Sequence, residues 1–335
     1  MVRAADIKSL KRGMFVFSFP LSKGKTRQQF RHCRQVKEFG IDAIVVDAET
    51  EYDQLPKLVN DFKPDFLVIS RRCQLLPSLR IIKIEHPEIV IVGMLPDARQ
   101  HVIEYEQKVI DLYDICDVFF IKTLGNVDDW KNNFKSCRNV IWWPQGIELD
   151  IWKRVEPNQN IIEMYSHDVI FMGAKRGTPY RTPSPGARTG LIQYLLDNGV
   201  DLKLVSYNIK GSGKIGGYEW NAACNTAKIV LGHCGWAEIS CSHPQRDYRV
   251  IGSGGFLLTE YVADMELIFD VGKEIATYTS YEDCLAKIRY YLEHEEERKA
   301  IQEAGYVSRV KHDIMDRFKI LLEVVDKIHR EKNNI

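Results

Sequence analysis

The sequence has no apolar run that approaches the roughly 20 residues of a membrane-spanning helix. It has no Cys-x-x-Cys pair, and its eight cysteines are scattered in the way expected of reduced thiols. The first residues are not followed by the apolar core of a signal peptide. Internal repeats and low-complexity tracts are also missing. These absences predict a globular protein of the cytoplasm, without a membrane span.

A complete phosphate-binding P-loop is missing as well. Residues 24–26 read Gly-Lys-Thr after a predicted strand, but the motif needs a glycine at position 19, where Phe19 stands. A nucleoside triphosphatase is therefore not expected. The loop still leaves the carboxyl end of the first predicted strand, where doubly wound sheets bind ligands. Lys23, Lys25 and Arg27 are therefore candidate ligand contacts.

A metal centre is not predicted either. His233, Cys234, Cys241 and His243 form a compact set of soft ligands. However, adjacent side chains at 233 and 234 point to opposite faces of a strand. A cysteine that ends an apolar strand is also more often a simple core residue. We therefore expect no metal site at these residues.

What the sequence does have is a regular alternation of strands and helices. Short runs rich in Val, Ile and Phe, as at 41–47, 65–70 and 118–121, are typical of strands buried in a parallel sheet. Six such strands are predicted in the first half of the chain and five in the second. The alternation predicts an α/β fold with parallel sheets.

The domain boundaries are predicted from a change in composition. The stretch 156–167 is polar and contains Pro157 and two asparagines, which is typical of a linker. We predict two Rossmann-like, doubly wound domains that face each other across a cleft, at 1–155 and 168–310. The helix at 311–335 is expected to pack back towards the first domain.

The stretch 246–261 is the most informative part of the sequence. It predicts a short helix, a glycine turn and a buried strand. Arg246 and Arg249 lie one turn apart and share a helix face. Gly254 and Gly255 allow positive φ and a close approach of a ligand to the backbone. A cationic face beside a glycine turn at a sheet edge suits a nucleotide diphosphate.

These residues resemble the C-terminal signature of the spore-maturation-type branch of GT-B glycosyltransferases. In that family an Arg-x-aromatic segment precedes a small-Gly-Gly-Phe-x-Leu-Thr-x-Tyr strand. The similarity continues at 264–269, 272–275 and 290–292, and 143–146 resembles the family's interdomain Pro-x-Gly turn. Many relatives have a glutamate where Arg249 stands, and that glutamate is the expected ligand of the donor ribose.

The resemblance implies a nucleotide-sugar donor, most simply a UDP-sugar, held by the second domain. The loop after the first strand of that domain carries Lys175 and Arg176 and leads to Arg188 at a helix start, which suits a diphosphate. Relatives also have an Asn and a Lys near the nucleotide, although a Lys at a strand end can instead snorkel to solvent. The further donor contacts that we predict are Tyr218, Asn225, Lys228, Arg246, Tyr248, Arg249, Gly254, Gly255 and Glu260.

The predicted reaction is transfer of a sugar to an acceptor hydroxyl without a required cofactor or metal. The cations of the donor loops take the place of Mg²⁺ at the leaving phosphate, and no Asp-x-Asp pair occurs in a matching loop. Asp97 follows a predicted strand of the first domain and can activate the acceptor hydroxyl. It can equally cap the helix that follows.

The acceptor is predicted from charge. Residues 1–40 contain ten Lys or Arg and two acidic residues, a surplus of eight, although the whole chain has no formal net charge. Such a field attracts a phosphate-bearing partner, unless it is only a solvated helix face. A surface glycan, lipid-linked sugar or protein is the first acceptor hypothesis, and hydroxymethylated phage DNA is the second, with Phe30, Arg31 and Arg34 as added contacts. A separate functional hypothesis is a non-catalytic module that binds a nucleotide sugar or a glycan, suggested by Arg249 in place of the family's glutamate.

Overall fold

A computed structural model describes residues 7–17, 28–95, 107–173, 188–205 and 217–335. The chain forms two compact units. The first consists of Met1–Pro144 together with Met315–Ile335, and the second of Gln145–Ile314. Each unit is built on its own parallel sheet, so the expected α/β fold is confirmed.

The first unit has a sheet of six parallel strands. Phe66–Ile69 and Val118–Ile121 are buried along their whole length, as expected of strands covered by helices on both faces. The sheet order is β2-β1-β3-β4-β5-β6. The strands are β1 (Arg12–Phe17), β2 (Asp42–Asp47), β3 (Phe66–Ile69), β4 (Val90–Leu95), β5 (Val118–Ile121) and β6 (Asn139–Trp142).

Helices join these strands, and their apolar sides pack on the sheet. Leu55 and Val59 face the core from one helix, and Leu79 and Ile82 face it from the next. A cluster of rings in edge-on and tilted contact with Trp130 packs beside β5. The helices are α1 (Gln28–Lys37), α2 (Leu55–Phe62), α3 (Leu76–Glu85), α4 (Gln107–Asp114) and α5 (Val127–Asn133).

The last helix of the chain, α12 (Ile314–Asn333), returns to the first unit. Asp326 on this helix is fully buried, and its Oδ1 accepts hydrogen bonds from the backbone N–H groups of Lys8, Ser9 and Leu10 and from the Ser9 hydroxyl. Trp143 donates its indole N–H to the Arg317 carbonyl at 2.7 Å. The helix therefore fixes the segment that leads into β1.

The second unit has a sheet of five parallel strands. Its order is β11-β10-β9-β7-β8. The strands are β7 (Val169–Met172), β8 (Leu202–Val205), β9 (Ile229–Leu231), β10 (Leu257–Glu260) and β11 (Ala276–Tyr278), and the helices are α6 (Gln159–Tyr165), α7 (Arg188–Asp197), α8 (Tyr218–Thr226), α9 (Gln245–Ser253), α10 (Tyr281–Glu293) and α11 (Glu295–Ser308).

The predicted linker at 156–167 contains the helix α6. Asn158 caps this helix by accepting a hydrogen bond from the Ile161 N–H at 3.0 Å. Tyr165 is buried and donates its hydroxyl to Glu219 of α8 at 2.8 Å. The segment therefore belongs to the second unit, and the units divide between residues 144 and 145 rather than at 155. The polar composition of the segment predicts a linker because α6 buries only one of its sides.

All eight cysteines lie in the described ranges and are free thiols. Burial raises the pKa of Cys137 to about 12 and that of Cys234 to about 11, so these thiols stay protonated near neutral pH. In the described ranges, no helix is both long and apolar enough to cross a membrane.

Candidate functional site

The order of the second sheet reverses between β7 and β9. The chain leaves β7 for β8 on one side and returns to β9 on the other. Loops at the carboxyl ends of two such strands diverge over opposite faces of the sheet, and the crevice between them is the usual ligand position in open α/β sheets. Side chains at this edge are therefore the first candidates for a binding site.

Arg246, near the start of α9, lies across this crevice. Its Nη1 donates to the carbonyl of Met172 at the end of β7, at 3.3 Å. Its Nη2 donates to the carbonyl of His233, just past β9, at 2.8 Å. A Cβ at position 173 would lie 3.0 Å from Nη1, so Gly173 leaves room for the guanidinium group. Both carbonyl partners are neutral, which leaves the charge available to an anion.

A second cation lies nearby. Arg188 begins α7, and its guanidinium carbon is 5.5 Å from the centre of the Phe171 ring. The guanidinium carbon of Arg246 is 4.8 Å from the same ring centre. The two groups thus share one aromatic platform at the carboxyl edge of β7, beside a helix N-terminus. This arrangement suits a phosphate or diphosphate.

Glu260 ends β10 at the same edge. Its Oε2 accepts a hydrogen bond from the Cys234 N–H at 3.0 Å and lies 3.1 Å from Nδ1 of His233. Burial, with the negative charges of Glu238 and Asp247, raises the pKa of Glu260 to about 7, although the Cys234 N–H and Arg188 oppose that shift. The carboxyl group of Glu260 is therefore only partly ionised near neutral pH.

A pocket of about 420 Å³ opens beside Glu260, at the carboxyl ends of β10 and β11 and the start of α10. We call it the Glu260 pocket. Tyr278 forms its buried wall and donates its hydroxyl to the Gly232 carbonyl at 2.7 Å. Ser280 caps α10 through the Asp283 N–H. The pocket is lined by His233, Glu260, Tyr278, Thr279, Ser280, Tyr281 and Glu282.

Three predicted donor contacts thus lie together at the carboxyl edge of the sheet: Arg188, Arg246 and Glu260. The two predicted glycines do not. Gly254 ends α9 with φ +81°, and Gly255 packs on Cys224 and Val230. Both precede β10 and so lie at the amino-terminal end of that strand, away from Glu260. Their small size serves packing at the turn rather than the approach of a ligand at the crevice.

Two other predicted contacts on α9 are engaged in packing. The Tyr248 ring is buried and lies 5.1 Å from the rings of both Phe269 and His312. The Arg249 guanidinium carbon lies 4.6 Å from the centre of the Trp152 ring, and its Nη2 donates to Gln245 at 2.6 Å. These partners give both side chains a structural role.

The predicted contacts at 218, 225 and 228 bind other parts of the second unit. Tyr218 donates its hydroxyl to the Glu156 carbonyl at 2.7 Å, and Asn225 donates to the Val155 carbonyl at 2.9 Å. Lys228 precedes β9 and lies 2.6 Å from Asp168, which precedes β7. The last pair therefore lies at the amino-terminal edge of the sheet. The structure does not bring these three residues to Arg246.

Several predicted residues lie outside the described ranges. These are Asp97, the candidate base; Lys23, Lys25 and Arg27, the candidate acceptor contacts; and Lys175 and Arg176 of the candidate donor loop.

Three of the four soft ligands that the sequence groups together contact other polar groups, and the ring of the fourth, His243, packs on Phe269. Nδ1 of His233 faces Glu260, whereas Sγ of Cys234 lies 3.0 Å from the Ser242 carbonyl oxygen. Sγ of Cys241 lies 3.3 Å from the Asp264 carbonyl oxygen. Among the described residues no group of three or more His, Cys, Asp or Glu side chains is placed to hold a metal ion.

The sequence prediction missed most residues of the pocket wall. The sequence marks His233 only as a candidate metal ligand and assigns no site role to Tyr278, Ser280 or Glu282. A usable signal existed, because these residues end or follow strands that the sequence does predict, and ligands gather at the carboxyl ends of parallel strands. The sequence does not show which strands are neighbours in the sheet, and that order decides which residues meet.

The two α/β units have the GT-B fold, which several solved structures share. Residues 186–323 match the model of a family described as glycosyl transferase-like. A comparison with curated proteins gives no match.

Solved structures from several organisms share the fold. Anabaena Alr3699/HepE in complex with UDP and glucose has a TM-score of 0.65 at 8% identity, over 95% of this chain and 100% of that one. A glycosyltransferase from Rickettsia africae has a TM-score of 0.59 at 10% sequence identity, over 97% of this chain and 99% of that one. Sucrose-phosphate synthase from Thermosynechococcus elongatus has a TM-score of 0.58 at 8% sequence identity, over 96% of this chain and 98% of that one. At such identities the likeness shows the fold alone.

Proposed function

We propose that this protein is a glycosyltransferase that moves a sugar from a nucleotide-sugar donor to an acceptor hydroxyl. The observation that carries the proposal is the position of Arg246. It bridges the carboxyl ends of β7 and β9 where the strand order reverses, with Arg188 on the same aromatic platform. A doubly charged diphosphate is the natural partner of two guanidinium groups at such an edge.

The donor that we propose is a UDP-sugar. Solved structures of Anabaena Alr3699/HepE are complexes with UDP, with UDP and glucose, and with UDP-glucose. That protein shares the fold of this chain, which supports UDP-sugars as the first donors to test.

The chemistry follows from the charges. The bond between the anomeric carbon and the phosphate oxygen breaks, and the acceptor oxygen forms a new bond to that carbon. Negative charge grows on the departing phosphate, where Arg246 and Arg188 stabilise it. We propose that these cations, with Lys175 and Arg176, make a metal ion unnecessary. Turnover that is unchanged by EDTA and by added Mg²⁺ is the expected result.

The acceptor side of the proposal rests on the sequence. Asp97 is proposed to take the proton of the acceptor hydroxyl as the new bond forms. Lys23, Lys25 and Arg27 are proposed to hold the acceptor, which is a surface glycan, a lipid-linked sugar or a protein. Membership of the spore-maturation-type branch remains our proposal, based on the match within 246–261.

A cytoplasmic location is part of the same proposal. All eight cysteines are free thiols, which fits a reducing compartment.

Calorimetry with UDP-, GDP- and dTDP-sugars tests donor binding. We expect a UDP-sugar to bind the protein, and Arg246→Lys to weaken that binding about tenfold or more, because Lys lacks the planar fork that contacts both strand ends and the diphosphate. The matched control is Arg289→Lys on the exposed side of α10. Thermal unfolding of each variant separates loss of affinity from loss of fold. Absence of binding to every nucleotide sugar would contradict the proposal.

A non-catalytic binding module is the second candidate. The observation behind it is Arg249, which stands where many relatives have a glutamate and which packs on Trp152. Release of UDP from the donor, measured with and without acceptors, decides between the two. Binding without any hydrolysis or transfer, across a broad acceptor panel, favours the module.

A further inference from the structure

The carboxyl group of Glu260 is linked to the guanidinium group of Arg246 through a single residue, His233. Nη2 of Arg246 donates to the carbonyl of His233 at 2.8 Å. Nδ1 of the same His233 lies 3.1 Å from Oε2 of Glu260, and that oxygen also accepts the Cys234 N–H at 3.0 Å. An anion that binds Arg246 at the strand ends therefore lies close to a largely buried carboxyl group.

Several elements act on the charge of Glu260. Burial raises the pKa of Glu260 to about 7. The charges of Glu238 and of Asp247 on α9 act in the same direction, whereas the Cys234 N–H and Arg188 at the start of α7 oppose them. The other titratable side chains that act on this carboxyl group or line the pocket beside it are His233, Tyr278, Tyr281, Glu282 and Cys284.

A bound diphosphate changes this balance in one direction. Its negative charge acts on Glu260 in the same sense as the neighbouring carboxylates, so it disfavours the ionised form. It also pairs with Arg188, which shares the Phe171 platform with Arg246, and so weakens a cation that favours ionisation. One added unit charge at about 10 Å strengthens the binding of a proton to Glu260 roughly tenfold.

We propose that the donor binds together with a proton, which the carboxyl group of Glu260 takes from solvent when the diphosphate contacts Arg246 and Arg188. The inference rests on the proposed function, because it requires an anionic donor at this edge of the sheet. The buffer supplies the proton, and no other bond forms or breaks.

The sign of the pH dependence follows from this linkage. Glu260 is about half ionised near pH 7 before the donor binds, and a bound donor shifts its ionisation to higher pH. Donor affinity is therefore highest below pH 7, where the proton is already present, and it falls as pH rises through and above that value.

UDP-glucose is the probe, because its phosphate groups have no second ionisation near neutral pH, unlike the terminal phosphate of UDP. Calorimetric titration at about pH 7.5 in PIPES, HEPES and Tris, which differ in ionisation enthalpy, gives the number of protons exchanged. The proteins are the unchanged chain and Glu260→Gln, which cannot ionise but keeps an acceptor for the Cys234 N–H. The control is Glu297→Gln, at an exposed carboxylate bonded to Tyr290.

We expect the unchanged protein and Glu297→Gln to take up about half a proton for each UDP-glucose that binds. Their affinity for UDP-glucose is expected to fall by up to about tenfold between about pH 6 and about pH 8.5. Glu260→Gln is expected to take up no proton, and its affinity for UDP-glucose should stay constant over the same range.

Three results would contradict these expectations in different ways. Equal proton uptake by Glu260→Gln and the unchanged protein would assign the proton to another group and overturn the inference. Binding of UDP-glucose to the unchanged protein without proton exchange would overturn it too, and that measurement does not depend on the folding of any variant. Binding of no nucleotide sugar at all would instead contradict the proposed function. Thermal unfolding of each variant confirms that the comparison is made on folded protein.

Discussion

A carboxyl group that is largely buried at the end of a strand is costly to ionise, and Glu260, whose side chain is 18% exposed, is such a group. Its folded-state pKa is raised to about 7 by burial and by the nearby charges of Glu238 and Asp247, against the opposing charge of Arg188. The folded protein therefore holds this proton at pH values where the unfolded chain has released it. Stability is expected to fall as pH rises from about 4.5 to about 7.

Glu260→Gln removes that ionisation. We expect the variant to be more stable than the unchanged protein at pH 8, by an amount on the order of 3 kcal/mol, with the difference shrinking towards pH 4.5. Thermal or denaturant unfolding between pH 4.5 and 8 measures it. Glu297→Gln, at an exposed site, is expected to follow the unchanged protein. An unfolding curve for Glu260→Gln that tracks the unchanged protein at every pH would show that the charge of Glu260 costs the fold nothing.

At the scale of elements, the turn between α9 and β10 shows how one glycine is required by packing. Gly254 has φ +81°, and a Cβ there would lie 2.5 Å from Cγ of Arg154. Arg154 cannot move freely, because it pairs with Glu303 at 2.7 Å and stacks on Tyr306 at 4.1 Å. The turn thus joins α9 to α11 through Arg154.

Gly254→Ala is expected to destabilise the protein by about 2 kcal/mol or more, through left-handed backbone strain and displacement of Arg154. Gly199→Ala is the matched control, since Gly199 has φ +76° with nothing within 4 Å of its Cβ position. It is expected to cost about 1 kcal/mol, from strain alone. Donor affinity should be unchanged in both. A loss of donor affinity in Gly254→Ala but not in Gly199→Ala would show that Gly254 belongs to the donor-binding site.

The contact of α12 with the segment before β1 is a second feature at this scale. Burial acts to raise the pKa of Asp326, but hydrogen bonds from Ser9, Lys8 and Arg330 outweigh it and lower the pKa. The stabilisation from this group is therefore complete above its unfolded value of about 3.8 and is lost as pH falls through the lower folded value.

Asp326→Ala leaves three backbone N–H groups without their acceptor. We expect it to lower the free energy of unfolding by about 3 kcal/mol or more at pH 7, and by less in acid. Glu323→Ala on the same helix removes a carboxylate that lies 3.9 Å from Lys319, and it should cost less than about 1 kcal/mol. Denaturant titration at pH 7 measures both variants. Equal losses of unfolding free energy for the two variants would mean that the hydrogen bonds accepted by Asp326 add no stability beyond that of an exposed ion pair.

At the scale of the whole molecule, a formal net charge of zero conceals a basic N-terminal stretch. Lys8, Lys11, Arg12, Arg34 and Lys37 are exposed in the described part of it. An acceptor that carries many phosphates is attracted by such a surface, and binding of that kind weakens as salt rises.

A DNA acceptor makes a defined prediction. Duplex DNA should shift in a gel at low salt, and replacing Lys23, Lys25 and Arg27 with alanine should weaken binding and lower the salt slope by up to about three. The charge-matched control replaces the exposed Lys273, Lys299 and Lys327. Absence of a shift, or affinity that does not depend on salt, removes DNA and leaves the glycan, lipid-linked or protein acceptors.

The sequence by itself determined the kind of fold. Runs such as those of β3 and β5 are apolar at every position because both faces of a parallel sheet are covered, so their strand character can be seen locally. The helix α6 escaped prediction because a short polar segment buries only Ile161 and Tyr165. Glycine at 254 signalled an unusual backbone, but a sequence does not say whether a ligand or Arg154 occupies the space beside it.

Only the tertiary structure decided the site. Arg188, His233, Arg246, Glu260 and Tyr278 come from separate elements, and they meet because the order β11-β10-β9-β7 brings those strand ends side by side. That order is fixed by the packing of helices on both faces of the sheet, which no local stretch of sequence encodes. Burial at that edge then raises the pKa of Glu260, which a carboxylate on an exposed strand end would not show.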